Sequence, residues 1–191
     1  MPYPDEQQVG LDFTAAKTAL RAAGMRGALH TLGMKSSEPV HFEAAVAAYR
    51  TTLDDGMRNL QPLEWAATQN NLGNALFRLG EKEGDTAHLE EAVAAYRAAL
   101  EERKHDRASL AWAWTQVNLG QVLSVWSDRE SGTAHLEEAA IAYDAALSAF
   151  EQAQADDDAD LCRATLDCLL ARLVQRTRQL GFLRVLHLGR G

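Results

Sequence analysis

The sequence contains few residues that interrupt helices or form covalent and metal centres. It has 4 prolines and 2 cysteines in 191 residues, while alanine is frequent. Proline is the poorest helix former and alanine the best, so this balance favours an all-α protein. No C-x-x-C pair occurs, and Cys162 and Cys168 would lie on different faces of one helix. We therefore expect two reduced thiols, no disulfide between them and no metal site.

The sequence also lacks long apolar runs and an excess of positive charge. It carries 19 basic and 27 acidic residues, for a net charge of −8. Because nucleic-acid binding requires a basic face, we expect no nucleic-acid partner. No apolar run approaches the roughly 18 residues of a membrane span, and the N-terminal MPYPDEQQVG does not resemble a signal peptide. These features predict a cytoplasmic protein without a membrane partner.

An internal repeat with an offset of 47 residues is the main feature that the sequence does have. Residues 63–100 align with residues 110–147, and more than half of the aligned residues are identical. A weaker copy precedes them and a partial fourth copy follows. Such self-similarity predicts an array of stacked helix pairs. The residues that define the alignment are Trp65 with Trp112, Tyr49 with Tyr96 and Tyr143, and Leu119, Leu123 and Trp126 with Leu166, Leu170 and Leu173.

Each copy is predicted to form two helices. We expect Gly80 to end the first helix of the second copy, and Thr86 or Asp85 to cap the next one. Pro39 suits the first turn of the second helix in the first copy. A 3.6-residue wheel puts the buried side of the second copy at Trp65, Thr68, Leu72, Ala75, Leu76 and Leu79, then at Ala92, Ala95, Tyr96, Ala99 and Leu100.

These residues resemble the tetratricopeptide repeat, whose pattern places W-x2-L-G-x2-Y before A-x3-F. The frame fits at Leu72-Gly73 and at Ala92 with Tyr96, and the third copy repeats it at Leu119-Gly120. The long period is similar to arrays that are common in bacteria, often within larger signalling or scaffolding proteins. The resemblance implies an α-solenoid of stacked antiparallel helix pairs.

The predicted organisation has an irregular first copy and a distinct C-terminus. In the first copy Met25-Arg26 replaces the Leu-Gly pair, so either this copy is a degenerate N-terminal cap or its first helix is mobile. The apolar FLRVLHL segment after Gly181 either caps the last repeat or is an edge for self-association. The predicted parts are an N-terminal tail at 1–13, a repeat domain at 14–180 with copies at about 14–60, 61–107 and 108–154, a capping helix at 155–180, and an apolar tail at 181–191.

The resemblance also implies a concave face, lined by the first helix of each pair, that binds a protein segment. Amide side chains there would pair with an extended backbone, Arg78 with a carboxylate, and Phe77 and Trp114 would be aromatic anchors. Exposed asparagines need no ligand, however, and Trp114 either lines the groove or packs on a neighbouring helix. The candidate groove residues are Asn70, Asn71, Asn74, Phe77, Arg78, Trp114, Asn118 and Gln121.

No pattern in the sequence indicates catalysis or a cofactor. There is no nucleophile–base pair and no glycine-rich phosphate loop. His41, His88 and His135 recur once per copy, but adjacent copies lie roughly 10 Å apart, too far for shared zinc ligands. We therefore expect a non-enzymatic adaptor without cofactors that binds a protein or peptide partner. The alternative is a self-assembling scaffold that associates through repeat ends or the C-terminal segment, and a small-molecule sensor or enzyme has less support.

Overall fold

A computed structural model describes residues 39–53, 55–84, 86–104 and 109–188. Every regular element in these ranges is a helix, and neighbouring helices pack together, which confirms the prediction of an all-α helical repeat. The N-terminal tail and the first helix of the first copy lie outside the described residues. The helices are α1 (Pro39–Thr52), α2 (Asp55–Leu60), α3 (Pro62–Glu83), α4 (Thr86–Glu102), α5 (Ser109–Ser127), α6 (Ala134–Gln152) and α7 (Asp156–Leu188).

The chain divides into two compact units, with the boundary inside α4. In the first unit, residues 1–95, both α1 and α2 pack against α3. In the second unit, residues 96–191, α6 packs against α5 and α7. Helix α1 begins at Pro39, as predicted. The short helix α2 was not predicted, and its Arg58 lies over the Trp65 ring, 4.6 Å from the ring centroid.

The buried side of α3 is the side that the helical wheel predicts. All six predicted core residues, from Trp65 to Leu79, are buried. The hydroxyl of Thr68 donates to the carbonyl of Glu64 at 2.9 Å, so this buried polar side chain is satisfied. In α4, Ala92, Ala95, Tyr96 and Ala99 are also buried as predicted, whereas Leu100 is half-buried.

The end of α3 differs from the prediction. The helix continues through Gly80 and ends at Gly84, which adopts a left-handed φ of 73°. Gly80 serves helix packing: a Cβ there would lie 2.6 Å from Leu89 Cδ2 on α4. The missing side chain therefore lets the two helices approach each other. Thr86 is the first helical residue of α4, and Asp85 lies outside the described residues.

Helices α5 and α6 form an antiparallel pair, as three contacts along their length show. Near the connecting loop, the Trp126 ring stacks on His135 with centroids 4.2 Å apart. At the middle of the pair, Gly120 lies against the Tyr143 ring. At the far end, Trp114 contacts Phe150 edge to face at 5.2 Å. Residue numbers thus rise along one helix as they fall along the other.

The recurring histidines lie at helix starts, where the repeat pattern predicts them. His135 Nδ1 is 2.8 Å from Glu130 Oε2, and His88 Nδ1 is 3.1 Å from Glu83 Oε2. The two pairs occupy equivalent positions in successive copies. Each histidine therefore contacts the carboxylate that precedes its own helix.

Helix α7 runs without a break from Asp156 to Leu188 and therefore continues through Gly181. A single glycine costs only about 1 kcal/mol inside a helix, and the flanking residues are good helix formers. The helix packs on α6 with Cys162 and Leu169 buried. Cys168 is exposed on another face of the same helix, and neither thiol is bonded, as expected.

Two arginines of α7 bind the C-terminal end of α5. Arg172 Nη1 donates to Ser124 Oγ at 2.7 Å, and its other nitrogen pairs with Asp128. Arg176 Nη1 donates to the carbonyl of Ser127 at 2.7 Å. These contacts join residues about one repeat period apart, so α7 lies beside α5 as the first helix of a fourth copy would. Leu170 is 44% exposed, whereas its counterpart Leu123 on α5 is fully buried.

Candidate protein-binding faces

Five of the predicted site residues lie on α3, and we call them the α3 face. They fall into three groups by exposure and contacts. Asn70, Asn71 and Asn74 are half-buried. Arg78 is exposed, and its Nη1 donates to Glu81 Oε2 at 2.9 Å. Phe77 is only 4% exposed, so its ring belongs to the interior and is not an open anchor.

The buried side of α3 is wider than the helical wheel indicates. Helices α1 and α4 both contact α3, so its buried side is wider than a single apolar stripe. Residues 75–77 are buried in succession. The Arg78 guanidinium lies 5.7 Å from the Phe77 ring centroid, so the arginine contacts this ring and Glu81 together.

The α5 face presents a partly open aromatic ring. Trp114 is 42% exposed although its ring packs edge to face with the buried Phe150, so one part of the indole is held while another faces outward. Trp114 therefore packs on α6, and the rest of its side chain remains accessible. Asn118 is half-buried and Gln121 is exposed on the same side of the helix.

Leu110 completes this stripe, although sequence reasoning missed it. It lies one helical turn before Trp114 and is 46% exposed. Leu63, its counterpart one period earlier, is exposed to a similar degree. The recurrence of an exposed leucine in two copies is the pattern that would have indicated it. We call Leu110, Trp114, Asn118 and Gln121 the α5 face.

The α5 face is uncharged. Helix α5 contains no acidic or basic residue between Ser109 and Ser127. Alongside it, α7 exposes Leu161 and Cys168, at the positions that correspond to Trp114 and Gln121 one period earlier. The first cation on that side of α7 is Arg172, which Asp128 already pairs. Helix α5 itself would therefore offer a ligand apolar surface and amide groups.

The predicted site residues are distributed over both units. The α3 residues belong to the first unit, and Trp114, Asn118 and Gln121 belong to the second. Each face is therefore a separate candidate for a partner.

Within the described ranges, no cluster of three or more histidine, cysteine or acidic side chains is positioned to hold a metal ion. The same ranges contain no helix with the length and apolar character needed to cross a membrane.

Comparison with known proteins assigns the repeat. A family model described as tetratricopeptide repeat matches residues 65–106, which include most of α3 and all of α4. Residues 65–106 of the chain therefore contain a tetratricopeptide repeat. No curated protein and no solved structure matches it significantly. Tetratricopeptide repeats generally mediate protein–protein interactions and are typically not enzymes, so the family assignment indicates a role in binding proteins.

Proposed function

We propose that this tetratricopeptide repeat protein is a non-enzymatic adaptor that binds a protein segment on the α5 face. The partly exposed Trp114 is the observation that carries the proposal. Large aromatic side chains contribute most of the binding energy at many protein interfaces. A tryptophan whose ring is already held by a buried neighbour loses little conformational freedom on binding, which favours affinity.

The residues around Trp114 suit a peptide backbone and apolar side chains. Asn118 and Gln121 supply both hydrogen-bond donors and acceptors, which an extended segment requires. Leu110 supplies apolar area on one side of the ring. The α3 face is a weaker candidate because Arg78 is already paired with Glu81 and Phe77 is buried.

Site-specific photocrosslinking in source cells tests this proposal. A photoreactive residue replaces Gln121 on the α5 face, or Asp144 on the exposed side of α6 as the control. We expect a protein adduct from position 121 and not from position 144. Trp114→Ala should reduce the adduct at least tenfold, while Ile141→Ala, which removes an exposed side chain of α6, should leave it unchanged.

Two results would oppose the proposal. One is an adduct that persists at full yield in the Trp114→Ala protein, with circular dichroism showing that the variant is folded. The other is equal crosslinking from positions 121 and 144, which would mean that contact is unspecific.

A further inference from the structure

Helix α7 has an outer face that no described helix covers. Its residues follow the alternating spacing of three and four that places side chains on one seam of a helix. The opposite side holds Cys162 and Leu169, which are buried against the rest of the unit. We call the exposed seam the α7 seam; its members are Asp160, Ala164, Asp167, Ala171, Val174, Arg178 and Gly181, all exposed.

The centre of the α7 seam is apolar and is flanked by charges of opposite sign. Val174 is 50% exposed, and Ala171 lies beside it. Asp167 lies on the N-terminal side of this centre and Arg178 on the C-terminal side, about 16 Å apart along the helix. Among the described residues neither of these two charges forms an ion pair, whereas Arg163, Arg172 and Arg176 all do.

We propose that the α7 seam binds the α7 seam of a second copy of this chain in antiparallel orientation. A two-fold axis between Ala171 and Val174 brings Ala171 of each copy to Val174 of the other. It also brings each Asp167 opposite Arg178 of the other copy, which forms two symmetric ion pairs. Ala164 then faces Gly181, and these small residues let the helices approach closely.

The charge pattern selects the antiparallel orientation. In a parallel pair, residues at the same position face each other, so Asp167 would meet Asp167 and Arg178 would meet Arg178. Like charges in contact at an interface are strongly disfavoured. Only the antiparallel arrangement pairs both charges while it keeps Val174 and Ala171 covered. This association does not use the α5 face, so its test is independent of partner binding.

A charge swap in the full-length chain tests the pairing. We expect the native chain to form dimers at micromolar concentration in sedimentation velocity. Asp167→Arg and Arg178→Asp should each weaken dimerisation at least tenfold, because each creates two repulsive contacts. The double variant Asp167→Arg/Arg178→Asp should restore it. Asp144→Arg, an equal change of charge on the exposed side of α6, should have no effect.

A native chain that is monomeric at 100 micromolar would overturn the proposal, as would a double variant that fails to recover dimerisation. The orientation has its own test, with a spin label at Leu161→Cys in a Cys168→Ser background. Antiparallel pairing about the stated axis places the two labels about 35 Å apart by the helical rise. A distance below about 15 Å would indicate a parallel pair and contradict the proposal.

Discussion

At the residue scale, the α5–α6 pair depends on the absence of a side chain at Gly120. A Cβ at this position would lie 2.6 Å from Tyr143 Cδ2 and 3.3 Å from the carbonyl oxygen of Ala139. We expect Gly120→Ala to reduce the free energy of unfolding by about 1–3 kcal/mol, because a ring and a backbone must move. Urea denaturation measures this change.

Gly132→Ala is the matched control for this prediction. A Cβ at Gly132 meets nothing within 4 Å, so we expect little change in the free energy of unfolding. Equal stability of the Gly120→Ala and native proteins would show that the two helices are not in such close contact.

Two buried tyrosines should make the folded protein less stable at high pH. Burial raises the pKa of Tyr143 to about 12, with a smaller contribution from Cys162, and burial alone raises the pKa of Tyr49 to about 12. An unfolded tyrosine has a pKa of about 10, so both states are protonated below that pH and the stabilising contribution is complete. Between pH 10 and 12 only the unfolded chain releases its protons, and stability falls.

Denaturation at several pH values, with absorbance at 295 nm to follow phenolate formation, measures this loss. In Tyr143→Phe the decline in stability above pH 10 should be shallower than in the native protein. An identical decline in both proteins would show that Tyr143 titrates as it does in the unfolded chain.

At the element scale, α7 stabilises the C-terminal end of α5. The last carbonyls of a helix lack partners within the helix, and Arg176 supplies donors to Ser127 O at 2.7 Å and Gly132 O at 3.2 Å. We expect Arg176→Ala to lower the free energy of unfolding by about 1–3 kcal/mol, as for hydrogen bonds that involve a charged group. Gln179→Ala, at an exposed position of the same helix, is the control and should change little. Matching denaturation midpoints for the two variants would argue against this role.

An ion pair between the second helices of successive copies also recurs with the repeat period. Arg50 pairs with Glu91, and Arg97 pairs with Glu138 at equivalent positions one period later. These pairs are partly exposed, and such pairs typically contribute under about 1 kcal/mol each. They therefore specify the register of neighbouring helices more than they stabilise the fold.

At the scale of the whole molecule, the net charge of −8 contrasts with the uncharged α5 face. If a partner binds there, its affinity should change less than about threefold between 50 and 500 mM NaCl, because exposed charges are screened by salt whereas apolar contacts are not. Calorimetric titration with the captured partner measures this. A Kd that rises tenfold over the same range would place the contact on charged residues elsewhere.

The sequence alone predicted the parts of the fold that depend on periodicity. The offset of 47 residues gave the helix pairs, and the wheel gave the buried side of α3 from Trp65 to Leu79. These predictions succeed because burial of one apolar stripe is encoded locally, in the spacing of residues along a helix. The family resemblance came from the same residues.

Only the tertiary structure decided how many sides of each helix are covered and where each helix ends. Phe77 is buried on a helix that both α1 and α4 contact, and Gly80 lies inside α3, where Leu89 packs against it. Trp114 is both held and exposed because its ring packs edge to face with Phe150 while 42% of the residue stays open. Each of these outcomes depends on contact with another helix, so the spacing of residues within one helix cannot predict it.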